Sequence, residues 1–469
     1  METKRGQLDP HWRQATVPDG FKVAVAGDMI LSHPIYECLA RTSPGLIDLL
    51  HGADLVVGNL EGTILDRDRF QGHPEAESGF SWLAAPPEVG RDLARLGFHL
   101  LSRANNHATD WGVEGMLMTD AILRANGIAT AGTGTSLTAA RVPTYVEGPS
   151  VRSSLVSWAT TATRHSPAAD ALGVVRARPG ASTLAYTPII LVAKEQLAAL
   201  RALRDAQAPE WRPDFLMEFD GRMGFVTLFG QHFTLHPDPS AKPPVGVHFE
   251  LDAQGWREIL RQVRQAKQTS GFTVAASHSH EPTNGMTGLP DFFPRIAREA
   301  IAEGADLVCG HGPHQLRGIE VLDGKPVFYS LGDFSYMENQ RALVVRDEWE
   351  RRAWRLVPGA PALDPTVMTD AEYLEWSRVF GQFGDDVWFE SVVALVEYDG
   401  DGRMRRIELH PIELGNQGRD SLRGIPRLAG GEHGLRILER LARLSAPLGT
   451  RIRVDRDRGI GVVQARPEA

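Results

Sequence analysis

Eight side chains in this chain are of the types that bind divalent metal ions or transfer protons. Two are carboxylates, one is an amide and five are imidazoles: Asp28, Glu61, Asn106, His107, His278, His280, His311 and His314. Such oxygen and nitrogen groups suit borderline or hard ions such as Mn, Fe, Co, Zn and Mg. Thiolate ligands are not offered, because Cys309 lies inside an apolar run. The set therefore predicts a site for one or two divalent ions.

Each of these residues alone has an ordinary structural explanation. Asp28 could cap a helix, Glu61 could be a solvated loop carboxylate, and Asn106 could be a turn residue. Ser277 and Ser279 stand beside histidines, but adjacent residues of a strand face opposite ways, which disfavours a serine nucleophile. The shared setting of the eight residues favours a common site, because nearly all of them directly follow predicted strands. The other histidines lack that setting and are expected to be structural.

Short apolar runs must position these groups. They are typical of buried strands, and each precedes a candidate residue by a few positions. The runs cover residues 21–26, 53–57, 98–101, 272–276 and 307–309. Amphipathic segments between them predict helices, for example 112–126 and 292–303. This alternation indicates an α/β fold whose polar residues gather where strands end.

The remaining segments suggest how the chain is divided. We expect a lead-in at 1–20, a main domain at 21–335, an insertion at 336–390, and C-terminal strands and a helix at 391–469 that complete the domain. Between 150 and 250 the pattern is weaker, with a helix predicted at Leu191–Ala206 and a strand at Met223–Leu228. The insertion shows no readable order of elements, and either covers the site or forms a partner surface. It contains four tryptophans, Trp349, Trp354, Trp376 and Trp388.

Composition excludes several classes of protein. With 50 Lys and Arg against 59 Asp and Glu, the net charge is -9, which argues against the basic face of a nucleic-acid-binding protein. No apolar run approaches the roughly 18 to 20 residues that a membrane span needs. The two cysteines, Cys38 and Cys309, cannot build a disulfide framework. We expect a cytoplasmic protein without a membrane span or a nucleic-acid partner, and its oligomeric state is left open.

Six segments, in order, resemble the signature of the CapA family of poly-γ-glutamate biosynthesis proteins, relatives of the calcineurin-like metallophosphatases. They are Gly27-Asp28, Gly58-Asn59-Leu60-Glu61, Ala104-Asn105-Asn106-His107 with Asp110 and Gly112, the segment around His278, Gly310-His311-Gly312-Pro313-His314, and Tyr329-Ser330-Leu331-Gly332-Asp333-Phe334. The resemblance implies a four-layer α/β/β/α sandwich, here with C-terminal hairpins, that holds one or two metals at strand ends.

Residue roles follow from this resemblance position by position. It implies metal ligation by Asp28, Glu61, Asn106, His278 and His311. His107 and His314, together with His280, are assigned to substrate contact or proton transfer. The chain departs from the family pattern in three places. No histidine stands two residues after Asp28, His278 is followed by Ser279-His280, and Asp333 stands where the family usually has asparagine.

Three functions are compatible with these residues. The first is a metal-dependent enzyme acting on an amide of a peptide or polyglutamate-like chain, in which Asp and His groups transfer protons beside a metal-polarised carbonyl. Peptide epimerisation is a sub-case that the resemblance implies, because soluble CapA-like proteins include lasso-peptide epimerases. The second is a calcineurin-like phosphoesterase. The third is a non-catalytic scaffold that binds peptide, with the tryptophan-rich insertion as its surface.

Overall fold

The computed structural model describes residues 12–208, 210, 214–242, 245–353, 359–381, 383–416 and 420–465. Trp354 and most of the predicted lead-in therefore lie outside the described residues.

The strands in the described part are β1 (Phe21–Ile30), β2 (Leu55–Leu60), β3 (Thr63–Ile64), β4 (Ala84–Ala85), β5 (Leu100–Ser102), β6 (Ala129–Ala131), β7 (Thr133–Gly134), β8 (Thr144–Glu147), β9 (Arg152–Ala159), β10 (Gly180–Ala181), β11 (Tyr186–Val192), β12 (Val226–Leu228), β13 (Gln231–Leu235), β14 (Gly246–Leu251), β15 (Phe272–His278), β16 (Leu307–His311), β17 (Ile319–Leu322), β18 (Lys325–Phe328), β19 (Asp333–Tyr336), β20 (Glu390–Tyr398), β21 (Met404–Glu413), β22 (Arg427–Leu428), β23 (Arg453–Asp455) and β24 (Ile460–Gln464). The α-helices are α1 (Tyr36–Thr42), α2 (Pro44–His51), α3 (Glu88–Arg95), α4 (Gly112–Ala125), α5 (Leu137–Arg141), α6 (Lys194–Asp205), α7 (Asp214–Met223), α8 (Ala253–Thr269), α9 (Phe292–Ala302), α10 (Arg346–Ala353), α11 (Asp370–Phe380) and α12 (Gly431–Ser445).

Two large sheets carry the strands that precede the candidate residues. The first sheet has the order β23-β24-β21-β20-β1-β2-β5-β6, with β19 beside β1 and β22 beside β21. The second sheet has the order β17-β18-β16-β15-β9-β8. Strands β1, β2, β5 and β6 run parallel, as do β9, β15 and β16. Within each parallel group, all strands therefore end at one edge of the sheet.

The two sheets pack face to face with helices on their outer faces. In β1, Val23 belongs to a core that both sheets share, whereas Ala24 belongs to a second core with α1, α2 and α3. In β15, Val274 belongs to the shared core and Ala275 to a third core with α8 and α9. Alternating side chains of each strand are thus buried on both faces. The predicted four-layer α/β/β/α arrangement is confirmed.

The predicted C-terminal hairpins are confirmed, because β20 pairs with β21 and β23 pairs with β24, all within the first sheet. Between residues 150 and 250, where the sequence pattern is weaker, the structure corrects two predictions. Leu191 belongs to β11, where it pairs with β13 and β14, so the predicted helix begins only at Lys194. Met223 ends α7 rather than opening a strand, because Gly224 takes a left-handed φ of +71° that terminates the helix.

The segment with no readable order contains two helices, α10 and α11. They pack on each other through Trp349 and Tyr373, whose ring centroids are 4.4 Å apart. Farther along, Trp388 is buried in the core beneath α1 to α3, and its ring contacts Phe383 at 4.8 Å. The Phe383 ring in turn lies 5.6 Å from that of His314. One end of this segment therefore lies against the candidate site.

Candidate metal centre

The candidate residues converge where the parallel strands of both sheets end. Asp28 and Asn59 are paired residues at the ends of β1 and β2, and Glu61 follows directly after β2. His278 and His311 are paired residues at the ends of β15 and β16. The carboxylates therefore come from the first sheet, and most of the imidazoles come from the second.

A close approach between β1 and the loop before β19 supports this arrangement. A Cβ atom on Gly27 would lie 1.7 Å from the carbonyl oxygen of Gly332, so only glycine fits there. This contact brings Asp28 against the loop that precedes β19. Gly312, at a φ of +111°, donates its backbone N–H to Oδ2 of Asp28 over 2.8 Å. The glycines found in the sequence motifs thus hold the second sheet's loop against the first sheet's carboxylate.

Glu61 lies at the centre of the arrangement. Its side chain is fully buried, and neither carboxylate oxygen has a hydrogen-bond partner among the described residues. Four imidazole Nε2 atoms lie 3.7 to 3.9 Å from its Oε1, those of His107, His278, His280 and His314. Burial raises the pKa of Glu61 well above its usual value, against the opposing effect of His314. A buried carboxylate without donors is costly unless a cation completes its environment.

Two trios of potential metal ligands share this carboxylate. Glu61, His278 and His280 form one, and Asp28, Glu61 and His314 form the other. In each trio the three ligand atoms lie within 4.8 Å of one another. We call these five residues the strand-end cluster. The two trios therefore share one carboxylate, that of Glu61.

Asn106 adds an amide oxygen to the first trio. Its Oδ1 lies 2.7 Å from Nε2 of His278 and 3.3 Å from Nε2 of His280, and those two nitrogens are 2.9 Å apart. Three polar atoms thus converge beside Glu61 in a buried space. Burial lowers the pKa of both His278 and His280 well below the usual value, with neighbouring histidines adding to the effect. Neutral imidazoles are the form that binds metals.

Two carboxylates orient the histidines predicted to transfer protons. Nδ1 of His107 lies 2.7 Å from Oδ2 of Asp110, and Nδ1 of His314 lies 2.9 Å from Oδ1 of Asp333. In each ring, Nε2 is left to face Glu61. Burial disfavours the charged form of His314, but Asp333 and Glu61 outweigh it and raise its pKa to about 10. Carboxylate partners of this kind fix the tautomer of a histidine and increase its basicity.

Asp28 is held by donors on two sides. Nδ2 of Asn59 donates to its Oδ1 over 2.7 Å, in addition to the bond from Gly312. Oδ1 also lies 4.0 Å from Nδ1 of His278. Burial, reinforced by Asp333, raises the pKa of Asp28 to about 7. Burial beside Asp333 thus favours the neutral form of this carboxylate.

His311 is close to the cluster without belonging to either trio. It is 2% exposed, and neither ring nitrogen makes a hydrogen bond of ordinary geometry in the described structure. Burial lowers its pKa to about 4, against a smaller opposing effect of the Ala26 backbone. The structure therefore places His311 beside His278, and its ligand role stays a prediction.

Sequence reasoning gave no role to several residues that hold the site together. The quoted motifs contain Asn59, Asp110 and Asp333. The three-residue spacing between His107 and Asp110 was the sequence signal that could have indicated their pairing. Arg103 was missed entirely. Its buried guanidinium donates through Nη1 to the carbonyls of Leu60 and Gly62, over 3.1 and 2.5 Å. These two carbonyls flank Glu61, so Arg103 fixes the backbone that presents it.

A cavity of about 360 Å³ opens onto these groups. Asn106, His107, His280 and His314 line its inner end. The hydroxyl of Ser279 is bonded to Glu281 over 2.7 Å, which accords with the low expectation for a serine nucleophile. A substrate group entering the cavity would therefore meet the imidazoles predicted to move protons.

The strand-end cluster and its neighbours fit a metal centre. The orphaned carboxylate of Glu61, the converging nitrogens of His278 and His280, and the amide oxygen of Asn106 form a mixed oxygen and nitrogen donor set. Such a set suits borderline or hard divalent ions. Asp110 and Asp333 supply the outer hydrogen bonds that histidines at metal centres commonly have.

Comparison with known proteins identifies the family. A family model described as "Bacterial capsule synthesis protein PGA_cap" matches residues 22–337. The chain belongs to the PGA_cap family. The match spans the segments on which the CapA resemblance was predicted, and that prediction is confirmed.

Individual relatives of this PGA_cap protein agree with the family match. It is 37% identical over 460 residues to two uncharacterized proteins of Sinorhizobium fredii (strain NBRC 101917 / NGR234), y4sH and y4uA, covering 96% of this chain and 95% of each relative. It is 22% identical over 288 residues to the PGA biosynthesis protein CapA of Bacillus subtilis (strain 168), covering 61% of this chain and 54% of that relative. In the described residues, no helix combines the length and apolarity that crossing a bilayer requires.

Proposed function

We propose that this PGA_cap protein is a metal-dependent enzyme acting on an amide of a peptide or poly-amino-acid chain. The observation that carries the proposal is Glu61, a fully buried carboxylate without hydrogen-bond partners, surrounded by four imidazole nitrogens. The Bacillus subtilis relative is a PGA biosynthesis protein, CapA, which supports an amide-linked substrate. We infer that Asp28, Glu61, Asn106, His278 and His280 hold one or two divalent ions, and that His314 acts as a proton donor rather than a ligand.

A divalent ion bound there would polarise a substrate carbonyl and stabilise negative charge that develops on it. The side chains of the protein do the rest. Nδ1 of His107 is tied to Asp110, so its Nε2 is free to accept or donate a proton at the substrate. His314, charged because of Asp333 and Glu61, is placed to donate one. An acid and a base at one cavity would serve hydrolysis, ligation or the exchange of an α-proton.

A phosphoesterase is the second candidate, and one observation favours it. The two trios share Glu61, and a carboxylate common to two ligand sets suits the paired ions of many phosphoesterases. Turnover of a generic phosphodiester with added Mn, without α-proton exchange or amide cleavage, would support this alternative. Uptake of deuterium at a peptide α-carbon in heavy water would instead support epimerisation. A cytoplasmic location stays a prediction.

Metal content tests the proposal directly. We expect the purified protein, analysed by mass spectrometry of its metals, to contain at least one divalent ion per chain. Glu61→Gln should reduce that content about tenfold or more, because the neutral amide lacks the charge that attracts the cation. The variant should still fold, because it removes a buried charge rather than a hydrogen bond.

Glu408→Gln is the matched control. Glu408, on β21, is also a buried glutamate. It pairs with Arg458 and lies away from the strand-end cluster. Its metal content should equal that of the wild type. A wild-type protein that takes up no divalent ion after incubation with Mn, Zn or Fe would contradict the proposal and favour the peptide-binding scaffold.

A further inference from the structure

Much of the cavity wall is aromatic. Five of its lining residues are phenylalanines or tyrosines, each from a different segment of the chain: Phe80, Tyr186, Phe249, Tyr336 and Phe383. Phe383 packs on Phe80 and Tyr336, with ring centroids 6.4 and 5.8 Å apart. Tyr186 and Phe249 form a second pair at 5.3 Å. Two aromatic groups therefore line the approach to the imidazoles.

The charges of this lining are unfavourable for an anionic substrate. No lysine or arginine is among the described residues that line the cavity, whereas two glutamates are, Glu281 and Glu338. The buried Arg317, whose charge Glu281 stabilises, is not part of the lining. His314 lies at the end of the cavity beside Glu61, and its Nδ1 is already bonded to Asp333.

The carboxylate of Glu281 is fixed in its place. It accepts hydroxyl hydrogen bonds from four residues, Thr160, Thr161, Tyr186 and Ser279, over 2.7 to 2.8 Å. With two hydroxyl donors on each oxygen, the carboxylate is held in one orientation at the wall. A second carboxylate brought beside it would face the negative charge of Glu281, and no lysine or arginine among the described lining residues offsets that repulsion.

From this lining we propose that the cavity receives an uncharged, apolar or aromatic side chain of a peptide substrate, and excludes the side chains of polyglutamate. The inference rests on the proposed function and narrows its substrate class. An aromatic side chain would bury a large area against Phe80, Phe383 and Tyr336 and gain ring contacts there. A glutamate side chain in the same place would lose its hydration and face two carboxylates.

Binding of three blocked tripeptides tests the inference without requiring catalysis. The probes are acetyl-Ala-X-Ala-amide with X as Phe, Glu or Lys, titrated by calorimetry into the full-length protein with and without added Mn. We expect the Phe peptide to bind about tenfold more tightly than the Glu peptide, in line with the cost of burying an unpaired negative charge. A Glu or Lys peptide that binds as tightly as the Phe peptide, or more so, would overturn the inference.

Two variants and a control sharpen the test. Phe383→Ala should weaken the Phe peptide about fivefold or more, through lost aromatic contact. Phe80→Arg, at a residue that is 44% exposed, should instead improve binding of the Glu peptide by supplying the missing cation. Phe229→Ala changes an exposed phenylalanine outside the cavity and should leave all affinities unchanged. Loss of Phe-peptide affinity in Phe229→Ala but not in Phe383→Ala would count against the inference.

Failure of this inference is distinguishable from failure of the proposed function. A protein that holds metal but binds no Phe peptide would overturn the side-chain inference and leave the metal centre standing. A metal-free protein that binds the Phe peptide in the predicted order would support the inference and overturn the catalytic proposal.

Discussion

At the scale of single residues, pairing decides what each histidine can do. Asp333 and Asp110 each occupy one nitrogen of a ring and thereby present the other nitrogen to Glu61. Asp333 also acts at a distance, because its charge raises the pKa of Asp28. One buried aspartate therefore influences an imidazole and a carboxylate at the same time.

We predict that Asp333→Asn lowers the pKa of both His314 and Asp28 in the metal-free protein. The amide oxygen can still accept the bond from the His314 ring, but the negative charge that favours protonation of both groups is gone. Nuclear magnetic resonance titration of the His314 ring would measure the change from about 10. Asp110→Asn is the control, and a His314 titration unchanged in Asp333→Asn would contradict the assignment.

At the scale of elements, local patterns predicted the strands well and their partners poorly. The apolar runs that became β1, β2, β15 and β16 were readable because each is short, buried on both faces and bounded by glycine or polar residues. Residues immediately after a strand could therefore be assigned to one edge. The region from β11 to β14 was harder to predict, because its strands form a separate four-stranded sheet and left-handed glycines follow α7 at Gly224 and turn the chain at Gly230.

Contacts between distant segments could not be predicted from local sequence. Arg103 reaches the carbonyls beside Glu61 from after β5, about forty residues along the chain. The approach of Phe383 to His314 joins segments that no pattern connects. The sequence likewise assigned His311 and His314 to different roles, whereas the distances include His314 in a ligand trio. Such details depend on how two sheets pack, which periodicity does not encode.

We predict that Gly27→Ala destabilises the protein and reduces metal uptake. The added methyl group would lie 1.7 Å from the Gly332 carbonyl, so β1 and the loop before β19 must separate and move Asp28. Overpacking against backbone costs about 1 to 3 kcal/mol or more. Urea denaturation and metal analysis would measure both effects.

Gly246→Ala, at a glycine with nothing within 4 Å of the added methyl group, is the control. It should change the free energy of unfolding by less than about 0.5 kcal/mol. Equal stability of the two variants would contradict the prediction, because it would show that β1 and the loop before β19 can separate at Gly27 without loss of stability.

At the scale of the whole molecule, the buried site makes the stability of the metal-free protein depend on pH. The raised pKa of His314 means that the folded chain keeps a proton that the unfolded chain has released above about pH 6.5. Its contribution to stability is present below that pH and is lost as the pH rises through about 10. The raised pKa of Glu61 acts in the same direction.

We predict that the metal-free protein loses stability between pH 7 and pH 10, by on the order of 1 kcal/mol per pH unit. Denaturant titrations of chelator-treated protein at pH 7, 8 and 9 would measure the slope. His314→Gln should flatten it, whereas His410→Gln, which changes a histidine outside the cluster, should not. A metal-free wild type that becomes more stable over this range would contradict the prediction.

The carboxylates and most of the imidazoles of the site lie on opposite sheets. This separation determines when the site can form as the chain is synthesised. A chain emerging from the ribosome presents Asp28 and Glu61 early, but His278, His280 and His314 come more than two hundred residues later. Strand β1 also waits for β20, its antiparallel neighbour from the last fifth of the chain. Under the proposed function, ion binding would therefore require a nearly complete translation product, and half-made chains would not bind metal through this cluster.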